Sequence, residues 1–277
     1  MIKNINSKKR LDILLFERGL CPSRERAKTT IMSGMVYLNG QKSCKPGLEV
    51  SDDSLIEVRE DPIGFVSRGG LKLKKALCEF GVDPSGRSVI DCGASTGGFT
   101  DCLLKHGAEH VWAIDVGYGQ LAWTLRNDPR VTCIERFNIR NLTKEHITMP
   151  ADLAVIDLSF ISLKTVLPTV FAALEDVCEA ICLVKPQFEA TRELVGKNGV
   201  VRDPAVHLDI LEGFVDFSDE NGIHVKQITF SPIKGPKGNI EFLAHLVRSE
   251  RASFSDGNIF DSLKKIVDNA HLSLKGR

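Results

Sequence analysis

No two of the eight cysteines form a CxxC, and neither an HExxH nor a Cys/His cluster with zinc spacing occurs among them or the seven histidines. A structural zinc site and a dithiol redox motif are excluded, which leaves free, buried thiols and no metal as the default reading. No run reaches the ~18 apolar residues of a membrane span. The amino-terminal residues are polar and basic, without the apolar core of a signal peptide, so a reduced cytoplasmic compartment is expected. Net charge is lacking too, with 36 Lys and Arg against 36 Asp and Glu, and there is no internal repeat or low-complexity tract. What remains is an ordinary globular composition, 43% hydrophobic and 26% charged, over 277 residues. That length suits a large α/β domain with a small appendage, or two medium domains.

The zero average hides an asymmetry. The first 47 residues hold ten Lys and Arg against Asp12, Glu17 and Glu25, a local charge of +7. Such an excess is the electrostatic footprint of a protein that meets a polyanion, in the first instance nucleic acid. Leu11, Leu14 and Leu15 recur at helical spacing and stop before Gly19, and Ser23 is a good N-cap for a second helix over 24–33, closed by Gly34. Met35-Val36-Tyr37-Leu38 then runs into Asn39-Gly40, a hairpin signal, and 54–58 reads as a closing strand. A small α+β module over residues 1–60 follows. Its second helix carries Arg24, Arg26 and Lys28 near the end where the helix dipole favours phosphate; the competing reading is a solvated helix face. Arg10-Leu11-Asp12, Ser23-Arg24, Ala27, Ile31, Gly34, Val36, Asn39-Gly40 and Val50-Ser51 resemble the S4 RNA-binding module, which implies RNA as partner and Arg10, Arg24, Arg26 and Lys28 as contacts.

Asp61-Pro62-Ile63-Gly64 punctuates the chain, so 61–66 is read as a linker. Beyond it, apolar runs at 88–91, 110–115, 153–157, 180–185 and 228–230 alternate with helix-length segments. That alternation predicts βαβ units and an α/β, doubly wound, mostly parallel Rossmann-like sheet over 67–250. In the last segment, 251–277, Ile259, Phe260, Leu263, Ile266 and Val267 share one face of a docked helix over 258–274.

Asp91-Cys92-Gly93-Ala94-Ser95-Thr96-Gly97-Gly98-Phe99 follows the first of these strands and opens a helix, where a doubly wound sheet binds its cofactor. Asp115 closes the second strand, 22 residues after Gly93, and suits the two hydroxyls of a ribose. A dinucleotide fingerprint would need glycine at Ser95. S-adenosylmethionine, with a sulfonium and an amino acid in place of a pyrophosphate, better suits a pocket that is acidic as well as glycine-lined. Phe137-Asn138, after the third strand, is placed either to contact the adenine or to form a polar turn. A rival reading takes residues 93–97 as the GxSxG elbow of a serine hydrolase, with Asp157 and His207 or His224 following in order. It leaves the basic module unexplained.

A further set of charges comprises Lys72, Asp157, Lys185 and Glu241. Asp157 and Lys185 end apolar strands, where open α/β sheets place active residues. Glu241 sits in an apolar stretch read as a strand, 239–243, where an unpaired carboxylate is costly, and Lys72 is the expected partner. Taken singly, each has a bland reading as a helix face, a cap or a strand end.

The second domain resembles the FtsJ-type ribose 2′-O-methyltransferases, and the chain from residue 8 to about 247 is similar to the TlyA family, sometimes labelled hemolysin-like. The resemblance rests on stretches 66–73, 91–99, 115–121, 157–163, 184–189, 199–203 and 238–241. It implies methyl transfer from S-adenosylmethionine to a cytidine 2′-hydroxyl of 16S/23S ribosomal RNA by a Lys-Asp-Lys-Glu tetrad on Lys72, Asp157, Lys185 and Glu241. Within that tetrad Lys185, oriented by Asp157 and with its charged form disfavoured by Lys72 and the sulfonium, is read as the base. The resemblance also implies Asp91 and Asp115 as the acidic cofactor residues, with Gly93, Ser95, Thr96, Gly97 and Gly98 around the methionine part; Phe99 at the end of the loop and Asn138 after the third strand complete the candidate cofactor site by position. The hemolysin label alone would suggest a membrane-active protein, for which the sequence offers no anchor.

Overall fold

The computed structural model describes residues 8–21, 23–32, 35–58, 64–248 and 259–275. Residues 61–63 of the expected linker, the expected helix end at Ser33 and Gly34, the side chain of Arg26, and Asn258 lie outside the described residues. The chain divides into two compact units between Gly64 and Phe65.

The first unit runs β1 (Lys8–Arg10), α1 (Leu11–Glu17), α2 (Arg24–Met32), β2 (Val36–Leu38), β3 (Gln41–Ser43), β4 (Glu49–Ser51) and β5 (Ile56–Val58). Asn39 and Gly40 both take positive φ, 49° and 80°, as a two-residue hairpin turn between β2 and β3 requires. Leu11, Leu14 and Leu15 of α1 pack with Ala27 and Ile31 of α2 and with Val36, Val50 and Ile56. β1 pairs with β4, a pairing of short charged strands that no apolar alternation announces. Beside it lies a fully buried carboxylate, Asp12, which accepts two hydrogen bonds from Arg10, at 3.0 and 3.1 Å, and one from Arg24 at 3.2 Å. The hydrogen bonds from Arg10, helped by Arg24, hold the Asp12 carboxyl below its ordinary range against the effect of burial. Two of the arginines expected to reach RNA therefore also neutralise the one buried acid among the module's described residues, while their side chains stay about half exposed (45%). Lys28 lies 3.6 Å from Glu25 on the exposed face of α2.

The second unit alternates as expected: α3 (Gly69–Phe80), β6 (Ser88–Cys92), α4 (Gly98–Lys105), β7 (His110–Ile114), α5 (Trp123–Arg126), β8 (Val131–Ile134), β9 (Leu153–Ile156), α6 (Leu163–Ala173), β10 (Cys178–Val184), α7 (Pro186–Glu189), α8 (Pro204–Glu220), β11 (His224–Phe230), β12 (Phe242–Arg248) and α9 (Ile259–Ser273). Its seven strands form one sheet in the order β11-β12-β10-β9-β6-β7-β8. The central strands are covered on both faces, so their residues are buried without alternation; every residue of β9 is buried. Ser162 and Asp203 cap α6 and α8 through the amides of Lys164 and Ala205, and Pro204 starts α8 where its missing N–H costs nothing. α9 docks through Leu263, Val267, Ala270 and Leu274.

The chain starts in the middle of this sheet at β6, builds outward through β7 and β8, then returns to lay β9 and β10 on the other side. The switch between β6 and β9 opens a crevice at the carboxyl ends of the parallel strands. β12 breaks the parallel pattern: it runs antiparallel to β10 and β11. Glu241, read from sequence as lying within a strand, instead immediately precedes β12. Because β12 is antiparallel, its beginning lies at the end of the sheet where the parallel strands finish.

At the opposite end of the strands Arg87 binds Asp152 at 2.9 Å and also Glu179, whose second oxygen accepts a hydrogen bond from His245 at 2.5 Å. Burial raises the Glu179 carboxyl, but the hydrogen bonds from His245 and Arg87 outweigh it and hold the group down at about 2. A depressed carboxyl contributes stability that is complete above its ordinary value of 4.5 and is lost as pH falls toward 2. Glu179→Gln should therefore lower the melting temperature at neutral pH and reduce its decline between pH 5 and pH 3 relative to the unsubstituted protein; parallel declines in a thermal scan would contradict this assignment.

Candidate active site

The chain leaves β6 through Asp91 and Cys92 and turns into α4 over residues 93–97, where Gly93, Ser95 and Gly97 all take positive φ. Gly93 is required by contact as well as by conformation, since a Cβ there would lie 2.7 Å from the carbonyl oxygen of Asp157. At Gly98 a Cβ would meet the Ser67 hydroxyl at 2.3 Å and the Gly70 amide at 3.1 Å. The glycine loop thus touches both the segment that carries Asp157 and the start of α3, which carries Lys72.

Two carboxylates organise this loop. Asp115, one residue past β7, accepts hydrogen bonds from the amides of Ser95 at 2.8 Å and Gly117 at 2.7 Å. Asp91 is fully buried at the end of β6; its Oδ2 accepts the Thr100 hydroxyl at 2.6 Å, while Oδ1 has no partner. Burial, opposed by the Thr100 bond and reinforced by the charges of Asp157 and Asp115, pushes the Asp91 carboxyl up to about 7. A buried, unsatisfied carboxylate oxygen is costly and is what a cationic ligand group would relieve.

The four charged residues singled out in the sequence form two ion pairs. Lys72 Nζ lies 2.6 Å from Glu241 Oε2 with both side chains almost fully buried, at 7% and 1% exposure. Lys185 Nζ lies 2.6 Å from Asp157 Oδ1 and donates a further hydrogen bond to Ser159 Oγ at 3.0 Å. The sheet register explains the meeting. Val184 of β10 opposes Phe242 of β12, so the next residue outward on each strand is Lys185 on one and Glu241 on the other. All four line one cleft of about 360 Å³, together with Gly93, Ser95, Thr96, Gly98 and Phe99.

Ser67, Arg68, Gly69, Ser159 and Pro236 also line the cleft and were not singled out as site residues, although Ser67, Arg68, Gly69 and Ser159 fall inside the stretches that carry the family resemblance. Conversely Asn138 does not line it. Its side chain accepts the Arg140 amide at 3.1 Å and caps a short 3₁₀ turn, the polar-turn alternative of the sequence reading. Gly97 faces Leu125 instead; Asp115 accepts the Ser95 amide of the loop and Asp91 accepts the Thr100 hydroxyl of α4, and neither carboxylate lines the cleft.

The serine-hydrolase reading does not survive this geometry. No histidine lines the cleft; the Ser95 hydroxyl lies 3.4 Å from Gln120, His207 bonds His271 at 2.9 Å, and His224 bonds Asp219 at 3.0 Å. Asp157, the acid of that triad, is taken by Lys185. Among the described residues no group of His, Cys, Asp and Glu is arranged to hold a metal ion, and no helix is long and apolar enough to cross a membrane.

Comparison with known proteins agrees with this architecture. The S4 domain family matches residues 9–56 and the FtsJ-like methyltransferase family matches residues 65–248. The chain is 48% identical to YqxC of Bacillus subtilis, covering 98% of this chain and 96% of that one. It is 45% identical to the 16S/23S rRNA (cytidine-2′-O)-methyltransferase TlyA of Mycobacterium tuberculosis, covering 93% and 97%. A solved structure from Streptococcus thermophilus that carries a hemolysin name superposes with a TM-score of 0.76 at 42% identity, over 98% of both chains. With an S4 domain, an FtsJ-like domain and relatives of this identity along almost its whole length, the chain belongs to the TlyA family of methyltransferases.

Proposed function

We propose that the protein methylates the ribose 2′-hydroxyl of a cytidine in ribosomal RNA, in the cytoplasm, with S-adenosylmethionine as the methyl donor. The observation that carries this reading is the pairing of Lys72 with Glu241 and of Lys185 with Asp157 around one cleft against the glycine loop. The activity that the Mycobacterium tuberculosis relative is named for requires the same chemistry, and we regard the hemolysin name as a legacy label.

The residues fit the cofactor. The partnerless Oδ1 of Asp91 suits the ammonium of the methionine part, the free faces of the Asp115 carboxylate suit the ribose, and Gly93 and Gly98 let the loop lie directly against Asp157 and the start of α3, beside the cleft. Bound there, S-adenosylmethionine supplies a methyl group already activated by the sulfonium. A 2′-hydroxyl is a poor nucleophile at neutral pH, so the protein must orient it and receive its proton. Lys185 is the acceptor in this reading. Asp157 and Ser159 fix its nitrogen from two directions, at 2.6 and 3.0 Å, which leaves the remaining direction for the hydroxyl. Lys72 is held by Glu241 as a fixed cation at the rim of the same cleft and suits the hydroxyl oxygen or its neighbouring phosphate. In the first unit, Arg10, Arg24, Arg26 and Lys28 are the proposed RNA contacts, and the hold of Arg10 and Arg24 on Asp12 pre-orients their guanidinium groups.

Two outcomes are expected. Incubation with methyl-labelled S-adenosylmethionine and unmodified ribosomal subunits should place the label on a ribose 2′-oxygen, and Lys185→Ala should slow transfer by roughly 100-fold or more, the range for loss of a general base. Label on a nucleobase, or normal turnover by Lys185→Ala, would refute the mechanism. Cofactor affinity should fall as pH drops from 7 to 5, because Asp91 must ionise to meet the ammonium and its carboxyl sits at about 7. Asp91→Asn should bind more weakly at pH 7 and show a flat profile over this window in calorimetric titrations; a profile like that of the unsubstituted protein would remove Asp91 from the site.

A further inference from the structure

The segment that delivers Glu241 to the cleft is a loop closed on itself. After β11 the Ser231 amide donates to the carbonyl of Glu241 at 2.8 Å, and the Ser231 hydroxyl donates to the Ile233 carbonyl at 2.6 Å. Inside that closure the Gly235 amide donates to the Asn239 carbonyl and the Gly238 amide to the Gly235 carbonyl, both at 2.9 Å. The buried side chain of Asn239 ties the loop to a distant segment: it accepts the Val201 amide at 3.0 Å and donates to the Gly199 carbonyl at 2.8 Å. Moving the loop as a body would break several of these hydrogen bonds at once, and a buried amide or carbonyl left unpaired is costly.

Two glycines in this loop are glycine for different reasons. Gly238 holds a positive φ of 93°, and a Cβ there would meet nothing within 4 Å, so conformation selects it. Gly235 has no positive φ. A Cβ on this buried residue would instead overlap Glu241 Oε1 and lie 3.1 Å from the carboxyl carbon, whereas the Asn239 carbonyl oxygen would be 3.8 Å away. The space that a side chain at 235 would fill is therefore the space that one oxygen of Glu241 occupies, while its other oxygen meets Lys72 Nζ at 2.6 Å. A carboxylate is planar and rigid, so its two oxygens move together. Glu241 is the far end of a side chain and can give way, but at 1% exposure it has no solvent to swing into. A methyl group at 235 would be accommodated by turning the carboxylate, which carries Oε2 off Lys72.

We propose that Gly235 is a positioning residue for the methyl-transfer site: by leaving room for Glu241 Oε1 it sets how the carboxylate faces Lys72, and through Lys72 the alignment of the target ribose. The assignment rests on the RNA-methyltransferase reading above. Gly235 does not itself line the cleft, although its neighbour Pro236 and Glu241 do, and it touches neither the glycine loop nor Asp91. Cofactor binding is accordingly expected to be independent of residue 235.

The test uses the full-length protein with Gly235→Ala, alone and combined with Lys72→Met. Single-turnover methyl transfer to unmodified ribosomal subunits is followed at saturating cofactor and RNA, with cofactor affinity and melting temperature alongside. Lysine side-chain ammonium groups are observed by nitrogen NMR in the ligand-free protein, the Lys72 and Lys185 signals being identified by their loss in Lys72→Met and Lys185→Ala. The proposal expects Gly235→Ala to keep cofactor affinity and slow transfer roughly tenfold or more, the scale of a small misplacement near the reacting groups. In the Lys72→Met background the same substitution should slow it less than about twofold, because the residue it acts through is gone. It should also move the Lys72 signal and leave that of Lys185 in place. Equal losses in both backgrounds would overturn the proposal, since a loop that is merely damaged slows transfer whether or not Lys72 is present. Where Lys72→Met abolishes measurable transfer, the NMR comparison decides, and a Lys72 signal that stays in place, or moves only together with that of Lys185, overturns it. If the unsubstituted protein transfers no methyl to ribosomal RNA, the reading itself has failed, and the role of Gly235 in turnover falls with it.

Discussion

The ion pair between Lys72 and Glu241 is the contact on which the rest of the site depends. It joins residues 169 positions apart, in surroundings so buried that either charge alone would be strongly unfavourable. Such a pair does not form for stability, since apolar residues of similar volume would serve as well or better. It forms because the fold brings α3 against the beginning of β12. That meeting depends in turn on a single departure from the parallel sheet: β12 runs against its neighbours, so a residue that precedes a strand arrives at the same edge as Asp157 and Lys185, which follow theirs.

The cofactor side of the crevice is built by a comparable bargain. Asp91 is buried with one oxygen unpartnered, and three of the five residues in the loop above it hold left-handed conformations, one of them the non-glycine Ser95. The unpartnered oxygen and the left-handed Ser95 both cost stability, whereas Gly93 and Gly97 adopt that conformation freely. They are tolerated because Asp115 braces the loop through the amides of Ser95 and Gly117, and because the sheet beneath is buried on both faces. Cost concentrated where the surrounding framework is strongest is the expected signature of a binding site rather than of a packing error.

Much of this was legible in the sequence because it is local. Apolar runs ending in Asp91, Asp115, Asp157 and Lys185 mark strands that stop at a common edge, and the glycines after Asp91 mark the loop that follows the first of them. The Asn39-Gly40 hairpin and the helices at Leu11 and Arg24 were read from turn chemistry and spacing in the same way. What could not be read depends on partners far along the chain. The run 239–243 looks like a strand throughout, and only pairing with β10 shows that it begins at Phe242. Arg10 stands only two residues from Asp12, but the arrival of Arg24 at the same carboxylate depends on how α2 packs on α1, and the basic count that suggested RNA does not separate arginines that bind it from arginines that also build the module. Asn138 was ambiguous for the opposite reason: a polar residue after a strand suits a ligand or a turn equally, and here its side chain caps the turn. The part played by Asn239 rests on a segment 38 residues away, which no local pattern reports.

The central claim is that Glu241 acts by holding Lys72 within a cleft shared with Lys185 and Asp157. Its most direct test is a double-mutant cycle on methyl-transfer turnover, with Lys72→Met, Glu241→Gln and the two combined, each checked for retained cofactor binding. The account predicts that the combined variant turns over no more slowly than Lys72→Met alone, since a holder has nothing left to hold. Losses that multiply in the combined variant would mean that the two residues act independently, and would contradict it.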